Sequence, residues 1–120
     1  MFLQLSHTKL KTYETTKQLI LECYRLTSLF PSEEKFALVQ QIRRAAVSVF
    51  LNYAEGCSRN SEAERRRFFE ISRGSLIEID AAIEVSIELG YLHNGSVQKL
   101  GESIILNFKL LSGLITKHGG

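Results

Sequence analysis

Residues Leu38–Tyr53 read LVQQIRRAAVSVFLNY, and within them Leu38, Ile42, Ala45 and Val49 recur at intervals of four, three and four. That is the period of one helix face, not the alternation of a strand. Val39, Ala46, Phe50 and Tyr53 widen the stripe on a second side, more apolar surface than one buried seam requires. The ends are marked as well. Pro31 pushes Phe30 out of the α region, and Ser32 is placed to cap a helix whose first turn holds Glu33 and Glu34, where the macrodipole favours negative charge. Gly56 stands after Glu55 as a C′ glycine, so the spacing predicts a helix over 33–55.

Three further periodic segments surround this one. Leu10, Tyr13, Ile20, Tyr24 and Thr27 share a stripe that predicts a helix over 8–29. The loop Cys57–Asn60 is short, and Ser61 with Glu64 forms an S-x-x-E capping box ahead of Phe68 and Phe69. The helix it opens, 61–89, carries Phe69, Leu76, Ile83 and Ile87 on one line and Phe68, Ile79, Ala82 and Leu89 on the next, and Leu89-Gly90 ends it. After His93–Ser96, the residues Val97, Leu100, Ile104, Phe108, Leu111 and Ile115 line a helix over 96–117. No stretch reads as a strand, since the one hairpin-like pair, Asn94-Gly95, lies between helical patterns. Helices of this length span about 33 Å and match one another. Joined by short loops, they predict an all-α fold, an antiparallel up-down-up-down four-helix bundle occupying residues 1–120 as one domain.

Small residues Ala45, Ala46 and Ser48 on the second helix, and Ser72, Gly74 and Ser75 on the third, permit close backbone approach. They serve either packing within one chain or contact with another copy.

Composition narrows the function classes. With 44% hydrophobic and 23% charged residues the chain is globular in character, and neither a signal-like apolar run near the start nor a membrane-length apolar segment occurs. A cytoplasmic protein is expected. Cys23 and Cys57 have no metal-ligand or redox spacing and read as unpaired thiols. His7, His93 and His118 are scattered, and phosphate-loop, nucleophile-elbow and H-E-x-x-H patterns are missing, so no metal, no cofactor and no catalytic residue is assigned. Glu70, Glu78, Asp80, Glu84 and Glu88 on the third helix read as solvated charge, and a di-metal bundle would need Glu-x-x-His, which is lacking. The expectation is a protein that is not an enzyme.

Two polar patterns remain. Gln41, Arg44, Ser48, Asn52 and Glu55 follow one another at three, four, four and three on one helix face. This stripe is either a ligand-reading edge or a half-buried network joining helices, for instance through Arg44 with Glu78 or Glu55; the apolar residues on both sides favour the network. If it is buried, Arg44→Ala or Glu55→Ala costs about 3 to 5 kcal/mol. The second pattern is charge. Seven of eight arginines, Arg43, Arg44, Arg59, Arg65, Arg66, Arg67 and Arg73, fall between positions 43 and 73 against four acids, Glu55, Glu62, Glu64 and Glu70, an excess of +3 where the whole chain has +2. An R-R-R run in the first turns of a helix opposes the macrodipole, so a partner bearing phosphates is a reasonable counterpart.

Gln41–Ser48, Asn52–Gly56 with Arg59, then Phe68-Phe69, Ser72–Leu76 and Glu78 closely resemble the four-helix bundle proteins of the 23S rRNA intervening-sequence family. The resemblance runs over nearly the whole chain, including Phe30-Pro31, with mild departures at Phe50-Leu51 and Tyr53. It implies a ring-shaped homo-oligomer, a pentamer, with a basic surface. Relatives among the accessory variability determinant proteins of diversity-generating retroelements are nucleic-acid-binding partners of a reverse transcriptase, whereas the intervening-sequence members have no settled role. On this resemblance Arg44, Asn52 and Glu55 hold the bundle or a subunit interface, and Glu78 occupies a motif position as part of the same polar network. The bets for phosphate contact are then Arg59, Arg65, Arg66 and Arg67, with Arg43 and Arg73 beside them. Two function classes follow: a non-enzymatic accessory protein binding RNA or DNA backbone, or a protein-interaction module with no nucleic-acid role. Salt dependence separates them, because phosphate binding weakens steeply as salt rises.

Overall fold

A computed structural model describes residues 2–118. Four α-helices account for most of them: α1 (Lys11–Thr27), α2 (Leu38–Ser58), α3 (Glu62–Glu88) and α4 (Gln98–His118). Single 3₁₀ turns occupy Ser6–Lys9, Ser32–Glu34 and Asn94–Val97, and no strand occurs among the described residues. The fold is all-α. α2 packs on α1 and α3, and α4 packs on α3 and α1, closing a circuit of neighbours with the α2–α3 seam the most extensive. Along that seam residue numbers rise on one helix as they fall on the other: Gln41 bonds Glu78, Ser48 meets Ser75, and the backbone carbonyl of Val49 accepts from Ser72.

Helix ends show where local signals govern. Ser61 Oγ accepts the Glu64 amide at 3.1 Å, as its capping motif predicts. At the end of α3, Gly90 adopts φ +81°, its amide bonds Ile87 O and the Tyr91 amide bonds Ser86 O, a Schellman closure that needs the left-handed residue glycine supplies.

Three boundaries differ from the sequence expectation by three residues or more, and the others by one or two. α1 opens at Lys11 instead of Thr8, because the Thr8 hydroxyl turns back to Leu5 O at 2.8 Å and Leu10 is extended. α2 opens at Leu38 instead of Glu33: Ser32–Glu34 forms its own short turn, and the Glu34 carboxylate accepts the Leu38 amide at 3.4 Å while also accepting the Tyr91 hydroxyl at 2.8 Å. At the other end α2 runs through Gly56 to Ser58, so Gly56 is not a C′ residue. Its role is spatial. A Cβ there would lie 2.7 Å from the Phe69 ring and 3.2 Å from Arg65 O, so glycine lets α3 come close.

The core joins Leu19, Cys23 and Leu26 of α1, Ile42, Ala46, Val49 and Tyr53 of α2, Phe69, Leu76 and Ile79 of α3, and Leu100 and Leu111 of α4. Burying each large apolar side chain stabilises by about 1.5–3 kcal/mol. On α1 the buried line is Thr12, Thr16, Leu19, Cys23, Leu26 and Thr27, rotated from the expected stripe; of that stripe Thr27 is buried, while Leu10 and Tyr24 are exposed. Threonine is admitted because its hydroxyl is satisfied within the helix, Thr16 donating to Thr12 O at 2.6 Å. The α4 line likewise includes Asn107, fully buried, where Phe108 was expected and is instead 40% exposed.

Glu22 is the buried carboxylate of the core edge. Arg25 hydrogen-bonds it at 3.0 Å and Lys99 of α4 approaches to 3.6 Å, and the Arg25 bond leads in holding its carboxyl below the usual range. Both cysteines are free and buried, and burial pushes the Cys23 thiol up to about 12.

Candidate functional site

The arginines do not form one patch. Arg43 on α2 is turned inward to α1: its Nε donates to Thr27 Oγ1 at 2.8 Å and its guanidinium lies 4.5 Å from the centre of the Tyr24 ring. Arg73 on α3 reaches α4, donating to Ser112 Oγ at 3.0 Å beside Phe108. Arg59, Arg65, Arg66 and Arg67 gather at the turn between α2 and α3, about 24 Å along the axis from Arg43 at 1.5 Å per residue.

At that turn an aromatic ring organises the cations. The Arg59 guanidinium stacks 4.7 Å from the Phe68 centroid and that of Arg67 lies at 5.9 Å, so one ring positions two positive charges. Arg65 Nε donates to Arg59 O at 2.7 Å, tying the loop to the first turns of α3. Acids answer several of these cations: Arg59 pairs with Glu55 at 3.0 Å and lies 4.0 Å from Glu64, and Arg66 pairs with Glu70 at 3.4 Å. These pairs are two-fifths or more exposed on both sides, a setting in which an ion pair contributes about 1 kcal/mol or less. Arg67 makes no ion pair among the described residues. His118, in the last turn of α4, is 2.6 Å from a Glu62 oxygen and packs on Phe69, bringing α4 to the same end.

The polar stripe of α2 joins α3 at Gln41 and Ser48, and is exposed at Arg44 and Glu55. Gln41 bonds Glu78, the Ser48 and Ser75 hydroxyls share a 2.8 Å bond, and Asn52 Nδ2 donates to both Ser48 O and Oγ at 3.0 Å. Arg44 is exposed and pairs with neither Glu78 nor Glu55; Glu55 is claimed by Arg59, four residues on in sequence. In the isolated chain this stripe is therefore a partly exposed seam, not a buried ion-pair network. Arg44→Ala and Glu55→Ala should each change stability by less than about 1 kcal/mol, measured as a urea midpoint. A loss of 3 kcal/mol or more would mean that the stripe is covered by something the single chain lacks. Of the six small residues, Ser48, Ser72 and Ser75 bond across the α2–α3 seam, Ala45 and Ala46 are buried in the core of the chain, and Gly74 faces open space.

Two surface clefts lay outside the sequence reading. The larger, about 560 Å³, lies over the outward side of α2 and is lined by Tyr24, Lys35, Phe36, Arg43, Arg44, Val47 and Leu51 among others. Phe36 is 81% exposed there. Sequence spacing gives no signal for this: Phe36 stands three residues before Val39, in phase with the second stripe of α2, and reads as one more core position. The second cleft runs between α3 and α4, past Ile77, Asp80, Ile104, Ile105 and Phe108. No helix of the described residues is long and apolar enough to cross a membrane, and no group of three His, Cys, Asp or Glu side chains among them converges as a metal site.

Comparison with known proteins places these features in a setting. The model of the 23S rRNA-intervening sequence protein family matches residues 8–113, which include the α2–α3 turn and both clefts. A crystal structure from Bacteroides thetaiotaomicron VPI-5482, described as a protein with unknown function from the S23 ribosomal protein family, superposes with a TM-score of 0.79 at 20% identity, covering 87% of this chain and 97% of that one. At that identity the likeness is one of fold. No curated protein matches the chain.

Proposed function

Since the chain belongs to the 23S rRNA-intervening sequence protein family, we propose that it is a non-enzymatic, oligomeric accessory protein of the cytoplasm that binds the backbone of RNA or DNA through arginines at the α2–α3 turn. The observation that carries this reading is the shared aromatic support: Phe68 holds Arg59 and Arg67 on its faces, with Arg65 and Arg66 alongside. A guanidinium stacked on a ring keeps its N–H edge free for bidentate contact with phosphate. The exposed carboxylates at Arg59 and Arg66 are weakly held partners, so a phosphate can replace them at small cost. Recognition of this kind is independent of sequence.

The reading includes an up-down-up-down bundle, supported by the opposed numbering along the α2–α3 seam. It also includes a ring of copies, five by the family resemblance, which would repeat the arginine cluster around an axis. A second reading, a protein-interaction module that docks a partner protein, has its own support in the apolar clefts, where Phe36, Leu51, Ile77 and Ile105 are all more than half exposed.

Binding of a mixed-length RNA, followed by light scattering at rising salt, separates the two. Replacing Arg65, Arg66 and Arg67 with alanine should leave helicity and mass unchanged, weaken RNA binding, and reduce the slope of log K against log salt by about 2, as expected for three lost contacts to a single strand. Unchanged binding would reject the arginine cluster, and an intact protein that ignores RNA at low salt would leave the protein-docking reading.

A further inference from the structure

The clefts differ in charge as well as position. The residues lining the α2 cleft include three cations, Lys35, Arg43 and Arg44, and no acid. Its apolar part stands proud: Phe36 and Leu51 are 81% and 58% exposed, with Val47 between them. Between α3 and α4, two adjoining hollows of about 290 and 270 Å³ share Asp80 and Ile104 and form one continuous groove. Its acids are Asp80 and Glu84, its one cation is Lys109, and its exposed apolar side chains are Ile77, Ile105 and Phe108.

We propose that the outward face of α2, with Phe36 and Leu51 as its projections, seats in the α3–α4 groove of a second copy of this chain, with Lys35 and Arg44 meeting that copy's Asp80 and Glu84. The observation that selects a second copy is complementarity within one sequence. A cationic, projecting apolar face and an acidic, recessed apolar groove lie on different sides of the same molecule, so each chain offers what the next one needs. Because the two patches are different, the contact is head-to-tail, and repetition of a head-to-tail contact with a closing rotation makes a ring. A two-fold contact of the α2 face with itself would instead set cations against cations. The inference deepens the oligomeric part of the function proposed above and rests on it: it assigns the two surfaces that meet.

The test uses two variants at exposed positions. Leu51→Glu damages the α2 face and leaves the groove; Ile105→Glu damages the groove and leaves the face. Circular dichroism checks that both keep the helicity of the unaltered chain, and light-scattering mass is the readout. The unaltered chain should run as an oligomer and each variant as a single chain. An equimolar mixture should give a species of two chains, because one good face and one good groove survive, and growth beyond two is blocked at both ends. Variants that stay fully oligomeric beside an oligomeric unaltered chain would overturn the pairing while the ring reading stands, and so would a mixture that stays monomeric. An unaltered chain that is itself monomeric would overturn both.

Discussion

Phe69→Ala should lower the unfolding free energy by about 3 to 5 kcal/mol, read as a fall in the urea midpoint at constant slope. Phe69 is 1% exposed and sits at the junction of three helices: its ring stacks at 6.4 Å on Tyr53 of α2, lies 5.7 Å from His118 of α4, and fills the space left by the missing Cβ of Gly56. The last contact allows a sharper test. In the unaltered chain, Gly56→Ala gains up to about 1 kcal/mol of helix propensity but drives a methyl into the Phe69 ring, so overpacking of about 1–3 kcal/mol should win and the variant should be less stable. With Phe69 already alanine the two ring atoms nearest the new methyl are gone, the Arg65 carbonyl at 3.2 Å stays, and Gly56→Ala should become neutral or stabilising. A double-mutant cycle reads this as a coupling of about 1–3 kcal/mol. Equal effects of Gly56→Ala in both backgrounds would show that Gly56 is not there for the ring.

Asn107→Leu should cost about 2 to 4 kcal/mol although the two side chains are similar in size. Asn107 is fully buried on α4 and ties that helix to α1: its Nδ2 donates to Thr15 O at 3.1 Å and to Ser103 O at 2.9 Å, and its Oδ1 accepts the Thr15 hydroxyl at 2.8 Å. Leucine removes every one of these bonds and leaves the Thr15 hydroxyl and carbonyl facing an apolar group. Removing Thr15 as well should recover part of the loss, since fewer polar groups are then stranded. If Asn107→Leu proved neutral or stabilising in denaturant titration, the α1–α4 contact would be an ordinary apolar seam, and the buried amide would have no part in holding it.

How far the sequence reaches can be followed through individual residues. The lines of α2 and α3 were legible in the main because leucine, isoleucine, valine and phenylalanine at helical spacing are buried where the period puts them, as Ile42, Val49, Phe69 and Leu76 are, whereas Leu89 at the end of α3 is 53% exposed. The rotation of α1 and the place of Asn107 were not, because a period read from hydrophobicity passes over buried threonine and asparagine whose hydrogen bonds are met inside the fold. The arginines illustrate the same division at the candidate site. Their crowding between positions 43 and 73 is plain in the sequence, but a helix carries Arg43 about 24 Å from Arg59 and turns Arg73 toward α4, so a cluster of seven becomes a group of four. Arg44, read as a half-buried partner of Glu78 or Glu55, is exposed, and Gln41 occupies the place beside the Glu78 carboxylate.

By itself the sequence determined what depends on neighbours along the chain: helical periodicity, the cap at Ser61, the left-handed stop at Gly90, the interruption after Pro31 and the all-α class. Tertiary structure alone decided what depends on groups distant along the chain. It converted Gly56 from a stop signal into a point of close approach, set Asn107 against Thr15, and left Phe36 and Ile105 in the open on different faces. The physical reason is range: capping and periodicity act within a turn or two, whereas burial, charge pairing and the shape of a cleft are properties of surfaces that exist only once the helices have packed.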